Sequence, residues 1–569
     1  MTAKLTPNLR LRNAQDFLEN LVNHPITSPL TWEDASHKVD RNHYLFIGRT
    51  KEWPNNLTSN PVVSETSPPS PQNTVVEELE AREQMIALKK IRDADATLVV
   101  RRYNWDESGE TVYAPYNVSD ADLFNHPTTF DIQAANLAGT YKAGSHYVIT
   151  DEYHIFKCLS NGNGAKSTVK PTLPLNPPYT VSGIDGYVWK YLATVSNSQT
   201  QNFLTNQWLP VKTVQEGDLS NQWDVQSSAV SCAIDSYLMS SLGSGYVNVL
   251  SGAFEDASES SAVLPVSDEL SLIDGAYVGC HVWITGGSGF PSGPFLVSGY
   301  TASARTITIN DTWEVDSGTT FEILPRVVVV GNGTGATAKA QVDSTTKRVT
   351  KVIPVEAGTG YTTATVEIVG GTTGSPALAT AQISPNGGHG ADIERELNAC
   401  FVMIMARLPF DDGSSDFPLS NDYRQIGLVR DVKFPNGALA NSLTLRASKA
   451  MKLANVSNGA GGAFQTDEVV VGTNGVVTAR ARIVAIFDGP GSNDSTIHYY
   501  QDSSTEYVAF QDGMSISGAT TSASGTVSPG GMMAPEIDIM SGDILYLDNR
   551  RAVLRAPNQT EILRAVIKF

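Results

Sequence analysis

The chain has 569 residues, too many for one ordinary hydrophobic core, and this length predicts roughly three or four domains. Hydrophobic residues make up 41% and charged residues 17%, which favours packed cores and argues against general disorder. The formal net charge of −19 argues against a broad nucleic-acid-binding surface, because an acidic protein repels phosphate. Solubility is the simplest explanation of this charge, and an acidic patch that meets a basic partner is the sharper one.

The first hundred residues combine two helical patterns with one buried strand. Apolar residues at helical spacing predict an amphipathic helix over 9–22, and the apolar run 44–47 predicts a buried strand. Residues 54–71 are rich in Pro, Asn and Ser and predict a loop. Thr74 and Glu77 have capping-box spacing and predict a helix to about residue 90. Its inward-facing residues would be Val75, Leu79 and Ile86.

From residue 97 to residue 228 the pattern changes to strands, of which the clearest are 97–101, 147–159 and 187–195. Residues 151–158 alternate with the period of two that a half-buried strand requires. Asn161-Gly-Asn-Gly164 predicts a turn.

Residues 229–385 are rich in Gly, Ser, Thr, Val and Ala and predict an inserted all-β module, conceivably of two small units. Residues 386–569 return to the earlier composition. They predict a short helix at 392–398, a strand at 400–407, a small β meander over 464–528 and closing strands at 544–547 and 562–569. The predicted organisation is therefore a core made of 1–228 and 386–569, interrupted by the 229–385 module.

The four cysteines, Cys158, Cys232, Cys280 and Cys400, are widely spaced and form no CxxC pair. They indicate buried free thiols in a reducing cytoplasm, and neither a disulfide framework nor a zinc site. The N-terminal residues lack a secretory apolar region, and no stretch approaches the roughly 18 apolar residues of a membrane span. We expect a chain made in the cytoplasm that stays soluble until it is assembled.

None of the candidate reaction centres has the residue spacing that its chemistry requires, so no catalytic, cofactor-binding or metal-binding residue is assigned. His154 and Cys158 share a face of one predicted strand, but four strand residues span about 13 Å, so core packing is expected for both. The glycine-rich stretches 331–336 and 459–464 lack the phosphate-loop patterns and predict turns. Acidic residues at 411–416 lack the EF-hand spacing and indicate a solvated loop. A pair of glycosidase carboxylates can be neither found nor excluded among 59 acidic residues.

Five tryptophans fall within the first 228 residues, at positions 53, 105, 189, 208 and 223. Core packing is the expected role of any one of them. The alternative is that some of them anchor subunit interfaces, where Trp, Tyr and Arg contribute much of the binding energy.

Several short segments, in a fixed order, resemble the baseplate wedge subunits of T-even-type contractile-tail bacteriophages, the gene product eight family, in its long cyanophage-like form. No single segment would be sufficient, but together they cover roughly residues 40–228 and 386–569. The segments are 43–54 with its Ile-Gly-Arg and Trp53, 85–105, 147–158, Asp185-Gly-Tyr-Val-Trp-Lys-Tyr191, 206–210, His389-Gly390, Asn421-Asp-Tyr-Arg-Gln-Ile-Gly427, Leu545-Tyr-Leu-Asp-Asn-Arg550 and 559–561.

The resemblance implies a mainly β fold with a few helices, built as a layered β-sandwich that carries the inserted all-β module. It also implies a homodimer in the tail baseplate of the virion, bound to other wedge proteins and moving as a near-rigid body when the baseplate rearranges. A structural subunit needs no reaction centre, and together with the charge and hydropathy above we expect no enzymatic activity, no cofactor, no nucleic-acid partner and no membrane partner. The alternative is a receptor-binding or glycan-processing tail protein that acts through residues 229–385, whose role the resemblance does not supply.

Overall fold

The computed structural model describes most of the chain. The described residues are 6–21, 41–56, 62–116, 142–162, 164–175, 177, 179–290, 293–408, 417, 421–488, 493–555 and 561–569. The predicted acidic loop at 411–416 and two residues of the last resemblance segment, 559 and 560, lie outside them.

Strands predominate over helices in this part of the chain, so the predicted mainly β class with a few helices is confirmed. The helices are α1 (Pro7–Glu19), α2 (Val75–Glu83), α3 (Asn197–Asn202), α4 (Asn221–Ser227) and α5 (Ile393–Glu396), with a 3-10 turn at Asp93–Asp95. The strands before residue 230 are β1 (His43–Gly48), β2 (Met85–Ile91), β3 (Ala96–Arg101), β4 (Thr111–Tyr113), β5 (Lys142–Gly144), β6 (Tyr147–Ile149), β7 (His154–Asn161), β8 (Thr180–Ser182), β9 (Tyr187–Thr194) and β10 (Trp208–Pro210).

The remaining strands follow in two groups. Those up to residue 385 are β11 (Ile234–Ser241), β12 (Leu250–Ala253), β13 (Asp256–Ser258), β14 (Ser261–Val263), β15 (His281–Gly286), β16 (Phe295–Thr301), β17 (Thr306–Ile309), β18 (Thr320–Leu324), β19 (Arg326–Gly331), β20 (Thr334–Asp343), β21 (Arg348–Thr359), β22 (Ala364–Val369) and β23 (Leu378–Ile383). Those after it are β24 (Phe401–Leu408), β25 (Asp422–Arg430), β26 (Thr444–Arg446), β27 (Lys449–Ser457), β28 (Val469–Thr473), β29 (Thr478–Asp488), β30 (Ser495–Tyr500), β31 (Ser515–Gly518), β32 (Ser524–Met533), β33 (Asp543–Leu554) and β34 (Glu561–Lys568).

The chain divides into two compact units. Unit 1 contains residues 1–99 and 400–569, and unit 2 contains residues 100–399. These boundaries differ from the predicted ones, because residues 100–228 group with the predicted module and not with the C-terminal segment. A composition change marks residues 229 and 385, whereas strand pairing determines the units, and pairing partners distant in sequence leave no mark in composition.

Unit 1 is centred on a five-stranded antiparallel sheet in the order β26-β2-β1-β25-β33. All six residues of β1 are buried, with Tyr44 and Phe46 packed into an apolar core on one face and Leu45 and Ile47 buried on the other. This explains the uninterrupted apolar run at this point in the sequence, since a strand buried on both faces shows no alternation. In the same unit, β24 pairs with both β3 and β34, and β27 to β32 close a six-stranded barrel with its own apolar core.

Unit 2 contains three larger sheets. The first has the order β6-β7-β9-β8 and surrounds an aromatic core that includes Tyr187 and Trp189. The second has the order β11-β23-β22-β19-β20-β21, and its two end strands approach each other. The third, which we call the seven-stranded body, contains β12 to β18 with a separate apolar core.

The helix predicted from residue 75 to about residue 90 is wrong in its second half. Thr74 caps α2 by accepting the Glu77 N–H, but the helix ends at Glu83, and β2 begins at Met85. Val75 and Leu79 are 73% and 43% exposed, whereas Ile86 is fully buried in the sheet. The helical spacing was accidental, because pairing of β2 with β1 and β26 overrides the weak local helical preference of this segment.

Three other predictions need correction. The single strand expected over 147–159 is a hairpin of β6 and β7, turned at residues 150–153. The meander expected over 464–528 belongs to the closed barrel, which begins earlier with β27 and ends later with β32. The strand expected at 544–547 is longer, because β33 continues along β25 to Leu554. The helix at α1 and the strands β1, β3, β9, β24 and β34 are confirmed within one to three residues at their ends. The predicted turn after β7 is confirmed by the hydrogen bond from the Gly164 N–H to the Asn161 carbonyl, with residue 163 outside the described residues.

Gly427 is required by its cross-strand neighbour. It pairs with Phe46 in the β1–β25 ladder, and a Cβ atom at position 427 would lie 2.2 Å from the Phe46 ring. The ring therefore occupies the space that any other residue would need at this position.

We expect Gly427→Ala to lower the free energy of unfolding by about 2–3 kcal/mol, because the core is overpacked. Phe46→Leu should relieve this clash, so the double variant should be less destabilised than the sum of the two single variants. Urea unfolding of the four proteins measures the coupling. Strictly additive costs would show that the ring does not dictate the glycine.

Candidate functional site

Several titratable side chains in unit 2 form a buried ionic cluster that the sequence analysis did not predict. Glu396, at the end of α5, accepts a hydrogen bond from Lys157 Nζ on β7 at 2.8 Å. Its other oxygen accepts the Gly390 N–H at 2.6 Å, and His389 Nδ1 lies 2.5 Å from Glu396 Oε1. The side chains of Lys157 and Glu396 are 5% and 3% exposed, so the pair is shielded from water.

Aromatic and acidic groups complete this cluster. The Tyr116 ring packs edge-on against His389 at 4.4 Å between ring centres, and Lys157 Nζ lies 5.0 Å from the centre of the Tyr116 ring. On the far side of the imidazole, His389 Nε2 is 3.8 Å from Asp235 Oδ2. A buried cation is tolerated here because a carboxylate and an aromatic face both contact it.

The pKa shifts in the cluster follow from burial and from Lys157. Burial alone would raise the pKa of Glu396, but the Lys157 ammonium and the His389 hydrogen bond outweigh it and hold that pKa well below its usual range. Burial raises the pKa of Asp235, which has weaker compensation. Burial, reinforced by Lys157, lowers the pKa of His146 to about 3 and keeps that imidazole neutral.

The structural role of the His389-Gly390 segment, one of the segments that resemble wedge proteins, is to contact Glu396 in this cluster. Gly390 has a φ of 87° and donates its N–H to Glu396. A Cβ atom at position 390 would lie 2.2 Å from Val225 Cγ1 on α4. Both residues therefore hold α5 in place, and neither is exposed to a substrate.

The Asp185–Tyr191 segment contains the turn before β9 and the first residues of β9, which lies between β7 and β8 in the first sheet of unit 2. Asp185 accepts the N–H groups of Thr168 and Val169 at 2.9 and 3.0 Å, which fixes a neighbouring loop. Tyr187 and Trp189 stack with their ring centres 5.5 Å apart inside the aromatic core. This segment provides packing and loop attachment.

In unit 1, two resemblance segments meet around Trp53. The Arg49 guanidinium lies 3.9 Å from the centre of the Trp53 ring, and Trp53 Nε1 donates to the Arg550 carbonyl at 2.7 Å. Arg49 itself has a φ of 56° and donates from Nη1 to Gln84 Oε1 at 3.1 Å. The strained backbone at Arg49 turns the chain directly after β1 so that these contacts form.

The Asn421–Gly427 segment joins the same region through Arg424. Arg424 Nε donates to Glu65 Oε1 at 2.7 Å, Nη2 lies 2.9 Å from Asp422 Oδ2, and Nη1 donates to the Thr50 carbonyl. Burial alone would raise the pKa of Glu65, but the Trp53 N–H and Arg424 outweigh it and lower that pKa. Every donor-bearing nitrogen of Arg424 thus faces an acceptor, which is what a buried guanidinium requires.

Two further contacts involve the segments near the C-terminus that resemble wedge proteins. Gln425 Nε2 donates to Asn549 Oδ1 at 2.8 Å, which ties β25 to β33. Arg555 Nε donates to Glu561 Oε2 at 2.9 Å, and both side chains are buried. Glu561 is the one residue of the 559–561 segment within the described range.

Sequence reasoning missed Lys157, Glu396, Glu65 and Arg424 as members of buried clusters. A signal was present for two of them, because Lys157 and Arg424 each interrupt an apolar strand. A charge inside such a strand predicts a buried partner of opposite charge. The partners could not be identified, since Glu396 and Glu65 are separated from them by 239 and 359 residues.

His154 and Cys158 do not form a reactive pair. His154 Nδ1 lies 2.8 Å from Thr194 Oγ1, while the buried Cys158 thiol donates to the Ser160 carbonyl. Burial raises the pKa of the Cys158 thiol, which keeps it protonated. All four cysteines are free thiols, as predicted, but Cys232 is only half-buried.

The other predicted features also have structural roles. Gly459–Gly462 forms a tight turn, and the glycines at 331 and 333 lie at the β19–β20 turn against Tyr361. Trp53 and Trp189 are buried, which confirms core packing for them, whereas Trp105, Trp208 and Trp223 are half-buried. Within the described ranges, no group of three or more His, Cys, Asp or Glu side chains is placed to hold a metal ion.

None of the helices in the described part of the chain has the length and apolar character that crossing a membrane requires. The chain matches no known family model and no curated protein.

We expect Glu396→Gln to lower the free energy of unfolding of unit 2 by about 3–5 kcal/mol, because Lys157 then remains buried without a counter-charge. Thermal or urea unfolding measures this loss. The exposed Glu367→Gln is the matched control and should stay within about 0.5 kcal/mol of the parent chain. Lys157→Met combined with Glu396→Leu should recover part of the loss. Equal stability of Glu396→Gln and its control would contradict a buried, unrelieved charge.

Stability should also fall in mild acid, because several buried histidines resist protonation. Burial lowers the pKa of the buried His43 and His498 from 6.5 to about 4. As the pH falls below 6.5 the unfolded chain takes up protons that the folded chain refuses, so unfolding is favoured down to about pH 4 and unaffected above 6.5.

Each such histidine should cost about 2 kcal/mol of unfolding free energy between pH 7.5 and pH 5. Urea unfolding at the two pH values measures the difference. His498→Gln removes one titrating group and should reduce the pH dependence of unit 1 by that amount. An unchanged pH dependence in this variant would show that His498 titrates normally when folded.

Proposed function

We propose that this chain is a structural subunit of a contractile-tail phage baseplate wedge, linking neighbouring wedge proteins and moving as a near-rigid body when the baseplate rearranges. The virion tail baseplate is its proposed location, after assembly in the host cytoplasm. The proposal includes a homodimer and other wedge proteins as partners, and no enzymatic role.

The observation that carries the proposal is that the segments resembling wedge proteins, although far apart in sequence, contact one another in the fold. Segments far apart in sequence meet in the central sheet of unit 1, where Arg49, Trp53, Arg424 and Arg550 contact one another or shared partners. In unit 2, Lys157 and the His389-Gly390 pair meet at Glu396. Side chains that maintain strand positions suit a protein that is gripped by neighbours and keeps its shape under load.

The acidic balance also supports this assignment. A net charge of −19 disfavours contact with DNA inside a particle and with anionic lipid. It leaves protein surfaces as the compatible partners, and stable assembly interfaces often bury about 2,000–5,000 Å².

Quantitative mass spectrometry of purified tailed particles tests the proposal. We expect the chain in a fixed, even copy number per particle, because dimers are incorporated as units, and we expect it to remain in isolated baseplates after the tail tube and sheath are removed.

The matched comparison is between particles complemented with Glu367→Gln and with Gly427→Ala. The first should be incorporated normally, and the second should be depleted because unit 1 is destabilised. Absence of the parent chain from isolated baseplates would refute a wedge role.

A further inference from the structure

One loop of the seven-stranded body holds two adjacent large apolar side chains outward on a fixed backbone. This segment, residues 266–274, lies between β14 and β15, and we call it the docking loop. Leu272 and Ile273 are 87% and 70% exposed, whereas Leu270 and Ala276 on either side of them pack against the apolar core of the body.

Two buried tyrosines hold the backbone of the docking loop. The Ser271 N–H donates to Tyr277 Oη at 3.0 Å, and Tyr300 Oη donates to the Ser271 carbonyl at 2.7 Å. The two rings meet edge-on with centres 4.7 Å apart. Leu272 and Ile273 are therefore presented on a pre-formed turn, which lowers the ordering cost of binding.

The end of the loop is fastened as well. Asp274 Oδ1 accepts the Ala302 N–H at 2.8 Å, and the Gly275 N–H donates to the Tyr300 carbonyl at 2.9 Å. Single exposed apolar residues are common on proteins and need no explanation. An adjacent pair on a turn anchored at Ser271 and Asp274 differs, because hydrogen bonds to the loop backbone and to Asp274 hold both side chains in their exposed position.

The surroundings of the docking loop are strongly acidic. Residues 249–324 contain ten Asp and Glu residues against one arginine, so this stretch carries a net charge of −9 out of −19 for the chain. Asp268 and Glu269 within the docking loop are exposed, and Glu269 Oε1 lies 3.6 Å from Lys347 Nζ, which leaves Asp268 as the unneutralised carboxylate beside the apolar pair. An apolar pair with an acidic surround is complementary to an apolar pocket with a cationic rim.

We propose that the docking loop inserts Leu272 and Ile273 into an apolar pocket of another protein whose rim carries Lys and Arg side chains. This inference goes beyond the wedge assignment and does not depend on it. A second copy of this chain is disfavoured as the occupant of this loop, because a second acidic stretch would not supply the cationic rim, and the proposed homodimer would use another surface. Nucleic acid and anionic lipid are disfavoured because they are negatively charged.

Site-specific photo-cross-linking in cells that make the chain naturally tests the inference. Benzoylphenylalanine replaces Leu272 in the full chain, and the matched control carries it at Ile184, which is 99% exposed in the same unit. We expect a cross-linked protein whose contact peptide is rich in Lys and Arg, at least fivefold above the control position.

Charge and side-chain variants make the result specific. Asp268→Lys should lower the cross-linking yield about fivefold, whereas the exposed Glu356→Lys should not, because only the first charge adjoins the contact. Raising the salt concentration to about 0.5 M should also lower the yield, since salt screens such contacts. Unlabelled chain should compete for the cross-link, and Leu272→Ser with Ile273→Ser should compete at least tenfold less well, unlike Leu175→Ser with Ile184→Ser.

Circular dichroism and the thermal midpoint should be unchanged in all these variants, because the altered side chains are exposed. The inference is overturned by a yield equal to the control position, by a product of two copies of this chain, by a contact peptide without basic residues, or by insensitivity to Asp268→Lys. A chain that is absent from baseplates but passes this test would refute the wedge proposal alone.

Discussion

Buried charges that must be fully paired constrain both units of this protein. In unit 2, Glu396 is enclosed with Lys157 and His389, and in unit 1 the buried Arg424 guanidinium donates to the half-exposed Glu65 and to the Thr50 carbonyl. A buried pair adds little net stability compared with an apolar substitute, but removing one partner is costly. These clusters therefore act against alternative strand registers, in which a charge would remain unpaired.

The partners in these clusters are far apart along the chain. Lys157 and Glu396 are 239 residues apart, and Glu65 and Arg424 are 359 residues apart, so neither cluster can form before distant segments meet. Closing such long loops is entropically unfavourable and makes folding slow. The resulting sheet of unit 1 has a central strand, β1, that is buried on both faces and pairs with β25 from the C-terminal part of the chain. Such a sheet suits a protein that has to keep its shape while neighbours pull on it.

The residues that stabilise the sheets differ from those of the proposed docking surface. The resemblance segments supply buried contacts such as Trp53 with the Arg550 carbonyl, whereas the docking loop leaves Leu272 and Ile273 exposed on an anchored turn. In the proposed docking mode, the acidic residues around that turn favour a cationic surface over a second copy of the chain at this loop. Changes in the docking loop can thus alter partner choice without disturbing the sheets.

Local pattern and composition were enough to predict most of the clearest strands outside the inserted module, the mainly β class, the free thiols and the acidic balance of the chain. They also indicated the turn glycines and the cap at Thr74. Only the tertiary structure decided where α2 ends, since β2 becomes a strand by pairing with β1. It also decided that Lys157 meets Glu396 and that Gly427 must accommodate Phe46. Strand partners and buried charge pairs arise from contacts across hundreds of residues, and one sequence contains no local record of such contacts.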